Sequence, residues 1–91
     1  MKFITSWTIP QATTNAAIAR FLETGGAAPE GVKMLGRWHG ANGQGFAISE
    51  STDGKAVYQW AAQWSDLLVV SVTPCLEDAD AGAVLASLPK R

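Results

Sequence analysis

An α+β domain built on a four-stranded antiparallel sheet is predicted by three observations on this chain. Segments rich in β-branched and aromatic residues alternate with helical stripes in the order strand, helix, strand, strand, helix, strand. An Asn42-Gly43 pair between the second and third strands marks a hairpin. Gly25-Gly26 marks the end of the first helix, because glycine accepts the left-handed conformation of a C-cap.

The elements follow in order. Lys2 to Thr8 mixes β-branched and aromatic residues and stops short of Pro10, the pattern of a first strand. Thr13 or Thr14 is placed to cap a helix on which Ala17, Ile18, Phe21 and Leu22 share a face; no Glu stands three residues beyond either threonine, so no capping box forms. Val32 to His39 is a second strand, and Phe46 to Ser51 a third. Thr52 or Asp53 caps a second helix carrying Val57, Trp60, Ala61 and Trp64 on one stripe. Leu67 to Thr73 is a fourth strand, ended by Pro74, which a ladder tolerates at an edge or an end. Asp78 to Leu88 is a short terminal helix with acids at its start and Lys90-Arg91 beyond its end, as the helix dipole favours. Right-handed crossovers then give a ferredoxin-like βαββαβ sheet of order 4-1-3-2, one domain over residues 1–91, with the fourth strand at an edge.

Composition narrows the functions. Of 91 residues, 47% are hydrophobic, too many for a disordered chain. A formal net charge of −1 without a cluster of Lys or Arg lacks the basic footprint that nucleic-acid binding requires, so no nucleic-acid partner is expected. Apolar runs such as Leu67 to Val70 fall far short of the ~20 residues that span a bilayer. The first residues lack the long apolar stretch of a secretory signal, which makes the cytoplasm the expected location. Cys75 and His39 are the single residues of their types, which excludes an internal disulfide and a Cys/His zinc site; neither metal nor cofactor is expected.

A partner is expected. Leu67-Leu68-Val69-Val70 is continuous, Met34 and Leu35 are adjacent, and Phe3 and Ile4 point to opposite sides. Both sheet faces therefore carry apolar groups, while two helices cover only one. A second subunit, the tail helix or a ligand must meet the other face. With only 16% charged residues, the chain fits a homodimer.

Lys2-Phe3, Trp7-Thr8, the Gly36-Arg37-Trp38-His39 run, Glu50, and Trp60 with Trp64 followed by Ser65-Asp66-Leu67 together resemble an uncharacterised bacterial family of chains about this long, classed only as a domain of unknown function. The resemblance covers nearly the whole chain, and Gly-Arg-Trp-His is its most specific piece. That family is similar to the dimeric α/β-barrel superfamily, whose relatives include antibiotic-biosynthesis-type monooxygenases and stress-responsive barrel proteins. The resemblance implies a dimeric α/β-barrel fold and a homodimer, and no activity, because one fold hosts many functions.

Arg37, His39 and Glu50 are the candidate catalytic group. With a two-residue Asn42-Gly43 turn, Arg37 opposes Ile48, His39 opposes Phe46, and Glu50 lies diagonally from Arg37 on the same face. A three-residue turn moves Glu50 to the opposite face. Imidazole suits general-base work near neutral pH, and a guanidinium steadies an anion. The competing reading is an Arg–Glu ion pair at a dimer interface with His39 in solvent. Trp7 and Trp38 are candidates to pack a small apolar or aromatic ligand, whereas Trp60 and Trp64, four apart on a helix stripe, read as core. His39 and Cys75 fall on strands at opposite sheet edges, which argues against a nucleophile–base pair. Gly40, Gly43 and Gly45 join two strands and open no helix, so they are turn residues and not a phosphate cradle. Two functions follow: a small-molecule-binding dimer, with cofactor-independent catalysis by Arg37, His39 and Glu50 as its extension, or a non-catalytic oligomerisation or interaction module.

Overall fold

The computed structural model describes residues 1–90; Arg91, part of the basic end expected after the tail helix, lies outside them. Strands β1 (Lys2–Thr8), β2 (Lys33–His39), β3 (Gln44–Glu50) and β4 (Val69–Cys75) form one antiparallel sheet in the order β2-β3-β1-β4, the expected order read from its other edge. Helices α1 (Thr14–Thr24) and α2 (Gly54–Trp64) connect the strands, and α3 (Asp78–Ala86) follows β4. The fold is α+β and ferredoxin-like, with a C-terminal helix.

Local chemistry explains the ends of the elements, including two that the sequence pattern misplaces. Neither threonine caps α1 through its side chain: a 3-10 turn (Gln11–Thr13) leads into the helix, Thr14 Oγ1 donates to the Pro10 carbonyl (3.1 Å), and Thr13 Oγ1 donates to the Leu67 carbonyl (2.7 Å). The helix ends at Gly25 (φ 69°), whose N–H donates to the Phe21 carbonyl (2.7 Å). Asp53 caps α2, its Oδ1 accepting from the N–H groups of Lys55 (3.0 Å) and Ala56 (3.4 Å). β4 starts later than Leu67, because the N–H groups of Leu67 (3.1 Å) and Leu68 (2.9 Å) both donate to the Trp64 carbonyl and close the turn after α2. Pro74 is inside β4, opposite Phe3, which an edge strand permits.

The hairpin departs from the two-residue turn. Gly40 stays paired with Gln44, its N–H donating to the Gln44 carbonyl (2.6 Å), so the loop is Ala41-Asn42-Gly43. Gly43 takes the left-handed position (φ 83°) that closes a three-residue hairpin loop, and Asn42 Oδ1 accepts from the Gln44 N–H (3.1 Å). The register becomes His39↔Gly45, Trp38↔Phe46 and Arg37↔Ala47, with a bulge between Met34 and Gly36.

The sheet has two unlike faces. On the inner face Phe3, Thr5, Trp7, Ala47 and Ser49 lie beneath the helices, and the core is Phe3, Ala17, Ala47, Ala56, Val57 and Trp60. The outer face pairs Trp38 with Phe46 and Ile48 with Ile4, and its β1 and β4 half carries Ser6, Ser71, Thr8 and Thr73. Trp38 lies flat across Gly36, where an added Cβ would come within 2.5 Å of the indole, and stacks on Phe46 at 5.2 Å. The tail helix does not cover this face. None of its residues is buried, and Val84 and Leu85 are exposed. No helix among the described residues is long and apolar enough to cross a membrane.

Candidate functional site

The inner face and the two helices enclose a cleft of ≈ 190 Å³. Its floor is set by the small residues of β3. In one cross-sheet row Arg37, Ala47 and Thr5 stand side by side; in the next, His39, Gly45 and Trp7 do. Gly45 has to be glycine, since a Cβ there would fall 2.5 Å from the Trp7 ring and 2.8 Å from the Trp38 carbonyl oxygen. The Trp7 indole occupies that space and reaches toward His39, with ring centroids 5.8 Å apart. Phe21 of α1 meets the other side of the imidazole edge-on at 5.2 Å. Ile18 and Leu22 of α1, both exposed, form the rim, and Trp60, Ala61 and Trp64 of α2 form the far wall.

Arg37 has a definite anchorage. Its Nη1 donates to the Gly26 carbonyl (2.7 Å) and its Nη2 to the Gly25 carbonyl (2.9 Å), so the cation sits on the carbonyls that end α1. The guanidinium also lies over the Phe21 ring at 5.0 Å. Gly26 permits this approach, because a Cβ there would fall 2.7 Å from Nη1. Partial burial pulls the Arg37 pKa below the ordinary value of a guanidinium. A guanidinium carries five N–H donors; among the described residues two serve the carbonyls, and the others have no protein partner.

The three-residue turn decides the fate of the expected group. Arg37 and His39 share the cleft, with Trp7 between them and β4, and Glu50 does not join them. A shift of one residue in register turns every side chain of β3 over, so Glu50 falls on the outer face opposite Lys2 and Lys33. Trp38 is also on that outer face, away from Trp7, and does not line the cleft. The Arg37–Glu50 ion pair is likewise absent among the described residues, where the ion pairs are Lys2–Glu77 and Arg20–Asp66. Cys75 pairs with Lys2 on the outer face of β4, at the sheet edge opposite His39. Trp60 is buried as expected of core, and Trp64 is half-buried beneath Arg20, at 5.3 Å.

The sequence pattern does not single out Thr5. Its Oγ1 is buried in the cleft wall with no hydrogen-bond partner, as is Ser49 Oγ nearer the core. The signal was present: Thr5 alternates with Phe3 and Trp7, so it had to share their face. No group of three or more His, Cys, Asp or Glu side chains suited to a metal ion occurs among the described residues.

A family model described as a domain of unknown function (DUF3303) matches residues 1–89. Comparison with curated proteins and with solved structures finds no match.

Proposed function

The chain belongs to the DUF3303 family, and from that premise we propose that it is a homodimeric small-molecule-binding protein that takes an apolar or aromatic ligand into the cleft between its sheet and helices. One observation carries the reading: the cleft is lined by apolar and aromatic side chains, with Arg37, His39 and Thr5 as its few polar groups. Binding sites have this make-up, an apolar concavity with a small number of placed polar atoms. Arg37 and Trp7 orient the ligand, and His39, its ring exposed between Trp7 and Phe21, is the group positioned to exchange a proton with it.

The homodimer rests on the uncovered outer face. The chain exposes 6450 Å², whereas a compact monomer of 9.6 kDa exposes about 5,100 Å²; the excess of about 1,350 Å² exceeds the roughly 800 Å² that each partner hides in a standard interface. Its shape agrees. The radius of gyration is 15.3 Å, against about 12 Å for a compact chain of this length. A second copy on the Trp38, Phe46, Ile48 and Ile4 patch, in the manner of the dimeric α/β-barrel proteins, hides the exposed apolar side chains of that face. The same face supports the second reading, a non-catalytic interaction module, which gains ground only when the cleft proves empty of ligands.

A thermal-shift panel of single-ring compounds tests the binding function. A ligand at a hundredfold its Kd stabilises the fold by about 2.7 kcal/mol. Ala61→Phe, which fills the cleft from α2, should abolish the response, and Trp38→Lys on the outer face should keep it. A panel with no response from the wild type, or a response that survives Ala61→Phe, refutes the cleft as the site.

A further inference from the structure

Resting on the reading that the cleft binds a small molecule, we infer that its ligand is a single-ring aromatic carboxylate, its anionic end on Arg37 and a second polar group on the Thr5 hydroxyl. Size sets the first limit. A dry cavity of about 150 Å³ accepts benzene, so a cleft of ≈ 190 Å³ has room for one substituted ring. The walls set the second. His39 packs against Trp7 at 5.8 Å and against Phe21 at 5.2 Å, an aromatic wall on which a flat ring can lie.

Charge and hydrogen bonding fix the two ends. Arg37 is the one lining residue with a formal charge, and its bonded partners are neutral carbonyls, so no carboxylate of the described residues offsets it. A guanidinium with unengaged N–H donors beside an apolar slot is matched by a carboxylate, which it can hold through two parallel bonds. Burial, which draws the Arg37 pKa downward, is opposed by such an anion. Thr5 stands in the same cross-sheet row as Arg37, two strands away across Ala47, or about 10 Å between backbones. Ala47 between them is a small core residue, and Thr5 Oγ1, buried in the cleft wall, has no hydrogen-bond partner. A ring with its carboxylate at Arg37 directs the substituent across the ring toward that hydroxyl.

The probes are benzoate, its neutral isostere benzamide, and 4-hydroxybenzoate, each titrated by calorimetry against the full chain. Benzoate should bind at least tenfold more tightly than benzamide. Arg37→Met should erase the difference, and Arg37→Lys should retain part of it. 4-Hydroxybenzoate should exceed benzoate severalfold, an advantage lost in the near-isosteric Thr5→Val. Equal affinity for benzoate and benzamide in the wild type overturns the charge assignment while leaving the cleft as a ring-binding site. Absence of binding by all three probes removes the ligand class and the binding reading beneath it. Should Arg37→Met fail to fold, the wild-type ratio of benzoate to benzamide decides alone.

Discussion

Replacing Trp38 with lysine should turn the protein into a monomer without unfolding it or closing its cleft. Trp38 stands on the outer face and is 56% exposed in a single chain. Taking a tryptophan as about 250 Å², roughly 140 Å² of it is available for burial. At about 25 cal/mol per Å², that area is worth ~3.5 kcal/mol per copy. A twofold dimer buries it twice. Ordering and desolvation at the interface offset part of that ~7 kcal/mol, and half of it, ~3.5 kcal/mol, still amounts to more than a hundredfold in the dimer Kd. Within the monomer the substitution removes one cross-strand stack on Phe46, about 0.5–1 kcal/mol. Sedimentation velocity from 1 to about 100 μM reads both species directly, a range chosen to bracket an interface of standard size. The wild type should sediment as a dimer and Trp38→Lys as a folded monomer. A wild type that is monomeric throughout, or a variant that dimerises as well as the wild type, refutes the reasoning.

Gly45→Ala should destabilise the fold by about 1–3 kcal/mol in chemical denaturation, because the new methyl overlaps the Trp7 ring and the Trp38 carbonyl oxygen; a change below ~0.5 kcal/mol counts against the packed floor. Arg20 holds the Asp66 carboxyl below its ordinary 3.8 through paired hydrogen bonds of 2.8 and 2.7 Å. A lowered acid pKa gives stability that is present above the unfolded value and lost as pH falls through the folded one. The Tm gap between the wild type and Asp66→Asn should thus be widest near neutral pH and shrink below about 3.8; a gap that grows in acid reverses the assignment.

Local signals carried most of the architecture. β-Branched and aromatic residue types placed β1 to the residue, Gly25 and the Thr52-Asp53 pair marked helix ends, of which the structure uses Gly25 and Asp53, and crossover handedness gave the strand order. The candidate site was legible only in part, because its membership depends on the length of one hairpin loop. Asn42-Gly43 fits both a two-residue turn and the end of a three-residue loop, and the two differ by the pairing of Gly40 with Gln44. That single step separates Glu50 from Arg37 and His39, whereas Trp38, between those two on β2, faces away from both at either turn length. Thr13 shows the same limit at a helix end: its hydroxyl reaches the Leu67 carbonyl, 54 residues away, a contact that sequence spacing does not contain. Leu67 and Leu68 carry strand-like side chains, yet their N–H groups were claimed by the end of α2.

The most direct test is a two-dimensional NMR titration of the backbone amides and tryptophan side chains of the full chain with phenol, a neutral single-ring probe. Saturable shifts are expected at Thr5, Gly26, Arg37 and His39 and at the Trp7 side chain, all of which border the cleft. Shifts that instead gather on Trp38, Phe46 and Ile48, or that grow linearly without saturation, would contradict it.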